Sequence, residues 1–242
     1  MSTRDVQAVI AASGYARHGT TMLGGSFRSC TCPKTRCGGV AGGTERDGCP
    51  EHRRSPAQLW HWAAECPGRL ADAQTAVRRG LAVFPLPVGG RVPSPGWQRL
   101  ATRDEAVLPE LLADGRNVGI SCRASGVVAL DLDVHDDDGQ AVLAGLAARL
   151  GKPWPDTLTV ATPSGGRHLY FRVSADCTIG SSSGGRTALG PGIDVRGPGR
   201  RSGGYLVGPG SLVGGLPYTI VHDSPVAPLP NWIADRLHPR GA

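Results

Sequence analysis

The chain has 242 residues, with 36 glycines, 20 prolines, 40% hydrophobic and 5% aromatic residues, and a net charge of +6. The glycines show no period of three, which excludes a collagen repeat, and no run of 18 or more apolar residues exists, so no membrane partner is expected. Apolar runs at 81–86 and 127–130 recur between polar segments, which excludes a wholly disordered chain.

Residues 1–65 are rich in Gly, Thr, Arg and Cys and show almost no apolar periodicity. Cys30, Cys32, Cys37, Cys49 and His52 fall within 23 residues, with Cys66 nearby. The Cys-x2-His at 49–52 has zinc-ligand spacing, whereas the Cys-x-Cys at 30–32 is tighter than the usual gap. No basic start followed by an apolar stretch opens the chain, so a cytoplasmic, reducing setting is expected. There, clustered cysteines suit a metal better than disulfides. Two readings of 1–65 stand side by side: a zinc-binding appendage, and a poorly ordered tail with incidental thiols. The basic residues are almost all arginine, since Lys34 and Lys152 are the only lysines. Arginine suits bidentate phosphate contacts, and GC-rich coding would produce the same bias.

From residue 66 the pattern becomes regular. Leu70, Ala73, Ala76 and Val77 form one helical stripe that Gly80 ends. A strand follows over 81–86. Thr102 with Glu105 has the form of a capping box, opening a helix with Val107, Leu111 and Leu112. Short and long strands are predicted over 117–121 and 127–134. A helix with Val142, Leu143, Leu146 and Leu150 on its apolar face comes next, with Asp138 near its start and Gly151 past its end. Residues 157–162 and 167–173 read as a hairpin around Pro163-Ser164-Gly165-Gly166. Strands over 193–196, 204–207 and 218–221 and a short helix from Pro230 complete a mixed α/β order.

Three of these elements carry chemistry. Asp131 and Asp133 alternate with Leu132, so both carboxylates share one strand face. Carboxylates held that close repel unless a cation lies between them, and magnesium takes such ligands together with substrate phosphates. A calcium loop starting at Asp131 fails, because it would need Gly at 136 and Glu at 142 and finds Asp and Val. In the hairpin, His168, Tyr170 and Arg172 share the face opposite Leu169 and Phe171, which makes that face the polar one. Asp194 and Arg196 point together on the third strand, in a stretch (161–215) with six arginines and two aspartates. That composition suits an arginine-lined loop around an anion.

Taken together, these elements resemble the N-terminal domain of bifunctional DNA primase/polymerases, the prim-pol family, within the archaeo-eukaryotic primase superfamily. The first motif is matched by Asp131 and Asp133, the second by residues 162–171 with His168, the third by 193–197 and 203–207 with Asp194 and Arg196. The lead-in at 80–86, with Arg91, Pro93, Gly96-Trp97 and 117–120, also fits. The departures are Gly166 where Ser-x-His is common, Arg91 where lysine is commoner, and the added stretch 198–202.

The resemblance implies an α+β primase-like catalytic core with an RRM-like sheet unit over 66–237, behind the appendage at 1–65 and ahead of a tail at 238–242. It implies template-directed nucleotidyl transfer in the replication of a mobile element or phage, on single-stranded DNA template and primer with dNTPs or NTPs. Asp131, Asp133 and Asp194 would hold two Mg²⁺ or Mn²⁺ ions. His168 and Arg196 would bind nucleotide phosphates, with Arg172, Arg91 and Ser211 as further candidates for phosphate or template. A separate helicase is the expected partner. The competing readings are a metal-dependent nuclease or phosphoesterase, a non-catalytic DNA-binding replication protein, and a small zinc-binding interaction protein.

Overall fold

The computed structural model describes residues 67–111, 116–184, 187–214 and 216–237. The cysteine cluster with His52, together with Cys66, Leu112 and the tail, lies outside the described residues.

Helix α1 (Pro67–Arg78) opens the described chain. Ala73, Ala76 and Val77 are buried and Leu70 packs beside them, as the stripe predicts. The Gly80 and Leu81 amides donate to the Val77 and Ala76 carbonyls and close the helix. Strand β1 (Val83–Leu86) contains Pro85. That is tolerable because β1 is an edge strand of a three-stranded sheet, where a missing N–H costs no central ladder bond.

The predicted capping box is not used. Residues Glu105–Val107 form a 3₁₀ turn that runs into the single-turn α2 (Leu108–Leu111). The cap is Asp104, whose Oδ1 accepts the Ala106 amide at 2.9 Å. Thr102 is committed elsewhere. Its backbone bonds Val83 in both directions, and its hydroxyl accepts the Asp104 amide at 3.0 Å. A local motif lost to a nonlocal strand contact.

Strands β2 (Asn117–Ser121) and β7 (Tyr205–Val207) complete the small antiparallel sheet, in the order β1-β2-β7. The one-turn α3 (Cys122–Ser125) links β2 to β3 (Val127–Leu132). β3 lies inside a larger sheet, between β5 (Arg167–Arg172) and β6 (Ile193–Arg196). Next to β5 come β4 (Thr159–Ala161) and then β10 (Thr219–His222). β8 (Leu212–Val213) and β9 (Leu216–Pro217) form a separate ribbon, and β11 (Ala227–Pro228) adds a short parallel pairing to β5. β3 is shorter than predicted. Asp133 leaves the ladder because its amide donates to the Gly192 carbonyl, and Val134 instead bridges Asp138.

The large sheet is covered on both faces. Val128, Leu130, Leu132, Leu169 and Phe171 pack against Leu143 and Leu146 of α4 (Gly139–Arg149) and Ile233 of α5 (Asn231–Leu237). Each such side chain contributes about 2 kcal/mol of burial. Val127, Ala129, Val160 and Tyr170 face the other way, into a core shared with the small sheet and α1. The face predicted to be polar is therefore buried at two of its three residues: His168 is 3% exposed and Tyr170 is fully buried, whereas Arg172 is exposed. Only sheet-on-sheet packing, invisible to a two-residue period, makes it so.

Candidate functional site

Antiparallel register sets the site. Asp131 on β3 is the direct partner of His168 on β5 and of Asp194 on β6, so the three side chains form one row across the sheet. One row further along, Ala129 is flanked by Tyr170 and Arg196. His168 Nε2 lies 3.3 Å from Asp131 Oδ1, and its Nδ1 lies 3.4 Å from the Tyr170 hydroxyl. The Tyr218 ring packs on the imidazole, with centroids 5.6 Å apart. Arg196 forks: Nη2 donates to Asp194 Oδ2 at 3.1 Å and Nη1 to Ser183 Oγ at 2.5 Å.

Asp133 stands just past the strand. Its amide donates to the Gly192 carbonyl and its carbonyl accepts the Gly139 amide, both at 2.8 Å. Asp138 caps α4 by accepting the Gln140 and Ala141 amides, which fixes the turn that returns to Asp133.

These residues open onto a cleft of about 740 Å³. Its floor carries Asp131, Asp133 and His168, its charged rim Arg91 and Arg196, and its apolar wall Trp97, Tyr205 and Tyr218. Trp97 is stacked on Phe84 at 4.2 Å and meets Tyr205 edge-on at 5.3 Å, so the wall is braced from behind.

The carboxylates differ in their titration. Burial pushes the Asp131 carboxyl up, but the charge and hydrogen bond of His168, with Arg196 and His135, outweigh it and hold it below the usual range. Burial and then the charges of Asp131 and Asp194 raise Asp133, only partly offset by His135 and His168. Burial pushes Tyr218 up to about 12 despite Arg91, with Asp131 and Asp133 adding to the rise.

The signs give a stability prediction for metal-free protein. A depressed carboxyl stabilises the fold above its unfolded pKa, about 3.9, and loses that contribution as pH falls through the folded value. A raised carboxyl costs stability at neutral pH, and the cost disappears as pH falls below its folded value. At pH 7 in EDTA, Asp133→Asn should therefore raise the urea midpoint and Asp131→Asn lower it. The Asp133→Asn gain should vanish toward pH 4. A lowered midpoint for Asp133→Asn at pH 7 would remove the crowding argument.

The family of bifunctional DNA primase/polymerases, N-terminal domain, matches residues 73–232. The chain belongs to that family. No curated protein matches it. Membership points to DNA primase/polymerase activity of the nucleotidyltransferase type, with DNA and nucleotides as substrates and divalent metals as the cofactors such enzymes generally use. The mixed α/β architecture with its antiparallel sheets is consistent with a prim-pol domain. Among the described residues no helix is long and apolar enough to cross a membrane.

In this prim-pol domain the structure brings Asp131, Asp133, His168, Arg91 and Arg196 to one cleft. Asp194 joins the row but lies behind Arg196, with its side chain 10% exposed. Arg172 does not reach the cleft. It sits at the far end of β5, opposite Val127 and close to Gly80. Ser211 does not either: it is fully buried, and its hydroxyl accepts the Val118 amide at 2.9 Å and donates to the Val118 carbonyl at 3.0 Å. It is a strut for β2. The sequence reading missed Gln98, His135, Ser181, Tyr205 and Tyr218 as cleft residues. Tyr205 was visible only as the residue after Gly203-Gly204, and Tyr218 only as the start of a short strand.

Among the described residues no three acidic, histidine or cysteine side chains are gathered in a ligating arrangement. Asp131 and Asp194 face His168 and Arg196 instead. The donor chemistry nevertheless fits a hard divalent cation, because all three donors are carboxylates and Asp133 is raised by burial and by the charges of the other two.

Proposed function

We propose that the protein is a template-directed DNA primase/polymerase, with residues 66–237 as its catalytic module, serving the replication of a mobile element or phage. The observation that carries this reading is the single row His168–Asp131–Asp194, of which His168 and Asp131 line, with Asp133, a cleft that Arg91 and Arg196 also line, while Asp194 lies behind Arg196. Asp131, Asp133 and Asp194 would hold Mg²⁺ or Mn²⁺. Bound there, the ions would make the primer 3′-hydroxyl a better nucleophile and offset triphosphate charge.

The chain's own side chains do the rest. The 3′-hydroxyl gives up its proton to solvent as its oxygen bonds to the α-phosphorus, the bond from that phosphorus to the α,β-bridging oxygen breaks, and pyrophosphate leaves with extra negative charge. Arg196 and Arg91, which line the cleft, would oppose that charge. His168 lines the same space with Nε2 directed at Asp131, while Tyr170 and Tyr218 hold its ring. Trp97 and Tyr205 give a base or sugar an apolar wall.

The test is incorporation of labelled dNTPs or NTPs on single-stranded DNA, with and without a primer. Template-dependent extension is the expected result. Shortening of the DNA without incorporation would replace this reading by a metal-dependent nuclease. DNA binding with neither reaction would leave a non-catalytic replication protein.

A further inference from the structure

We infer that the loop 198–203 between β6 and β7 is a docking surface for the phosphate backbone of single-stranded DNA outside the nucleotide cleft. This rests on the polymerase reading for the identity of the strand.

The loop contains the stretch 198–202 by which this chain departs from the simplest form of its third motif. It is a closed ring rather than a loose insertion. The Gly204 amide donates to the Gly197 carbonyl at 2.8 Å and shuts its neck. The Gly199 amide donates to Ile179 O at 2.8 Å, tying the ring to the β5–β6 connection. Arg123 on α3 reaches over and donates through Nη1 to Gly199 O at 3.0 Å and, more weakly, to Pro198 O at 3.4 Å. Gly203 has φ +67°, and a Cβ there would stand 2.8 Å from both the Arg123 Cβ and the Pro198 carbonyl oxygen. Glycine is what lets the ring close against α3.

Two exposed arginines, Arg200 and Arg201, sit at the tip of this ring. Among the described residues neither makes an ion pair or hydrogen bond, unlike Arg79, Arg196 and Arg236. Arg123, which holds the ring, is exposed, and so is Arg103, whose Nη2 donates to the carbonyl of the next residue, Ala124. The carboxylates beside Arg103 are Asp104, used as a helix cap, and Glu105, paired with Arg78 at 3.0 Å. The surface therefore has a strong positive excess.

Its position says which part of a substrate it meets. Gly203 and Gly204 line the cleft, whereas Arg200 and Arg201 do not. Three chain steps from Gly203 put Arg200 within about 11 Å of the cleft wall. A single nucleotide fits inside the cleft, so a positive surface just past its rim meets the strand that runs on from it. Guanidinium groups on a pre-closed loop suit phosphodiester oxygens, which carry no sequence information.

The test is binding of a labelled oligothymidylate by the full chain, followed by fluorescence anisotropy in EDTA without nucleotide, over a range of salt. Arg200→Ala with Arg201→Ala should weaken binding roughly ten- to thirty-fold near 0.1 M salt. The slope of log affinity against log salt should become shallower by about 1.4, at about 0.7 per contact. Arg149→Ala with Lys152→Ala removes the same charge from the exposed end of α4, on the other side of the large sheet, and should leave the slope unchanged. Unchanged binding by the loop variant, or an equal loss in the control, overturns the assignment. The assay needs no turnover. A chain that holds DNA through this loop but incorporates nothing would keep this surface and reject the polymerase.

Discussion

Asp131→Asn combined with Asp133→Asn is expected to lower nucleotide incorporation by at least about 10³-fold, because removing one preorganised electrostatic contact alone costs about 10²–10³. Both side chains line the cleft, and burial together with the charges of Asp131 and Asp194 raises Asp133. Asparagine keeps the volume and one acceptor oxygen while deleting the charge that would recruit a cation. Asp131→Asn costs stability, but Asp133→Asn relieves repulsion and offsets that cost, so the fold should survive. Far-ultraviolet circular dichroism and single-strand affinity should therefore stay as in the parent chain while extension is lost. Raising Mn²⁺ should not restore the double variant. Incorporation within a few-fold of the parent would remove these carboxylates from the chemistry.

The row across the sheet explains why so much of the site was legible and where legibility stopped. Side-chain alternation pairs Asp131 with Asp133 and Asp194 with Arg196; Asp194 and Arg196 lie 3.1 Å apart, and Asp133 lines the cleft beside Asp131 although it has left the ladder. Alternation gives the face, however, not the distance along a strand. Arg172 shares a face with His168 yet sits two rows away, opposite Val127. Burial was equally hidden. His168 lies next to a turn and reads as a surface residue, but the second sheet closes over its neighbours Tyr170 and Ala129. The aromatic wall depends on contacts far apart in the chain. Trp97 meets Tyr205 only because β2 pairs with β7, across more than 80 residues. Local signals failed for the same reason at Thr102, whose cap lost to Val83.

Gly139→Ala should cost both stability and activity, and the reason is purely backbone. Gly139 opens α4, and its amide holds the Asp133 carbonyl at 2.8 Å. A Cβ at Gly139 would overlap the Gly192 carbonyl oxygen and stand 3.2 Å from the Asp133 amide nitrogen. The Gly192 carbonyl is the acceptor for that same amide, and Gly192 itself sits at φ +68°. No flexible side chain is there to yield, so the helix start or the 192 turn must move. Either movement disturbs the two bonds that fix Asp133. A misplacement of about 1 Å costs on the order of 10²-fold in rate, so incorporation should fall by about that much. Gly145→Ala, in the same helix, isolates the cause. Its Cβ would meet only Arg149 Nη1, at 3.5 Å. It should raise stability by up to about 1 kcal/mol through helix propensity and leave the rate alone. Urea unfolding and single-turnover extension measure both variants. If Gly139→Ala matched Gly145→Ala in midpoint and in rate, the close backbone approach would not be what positions Asp133.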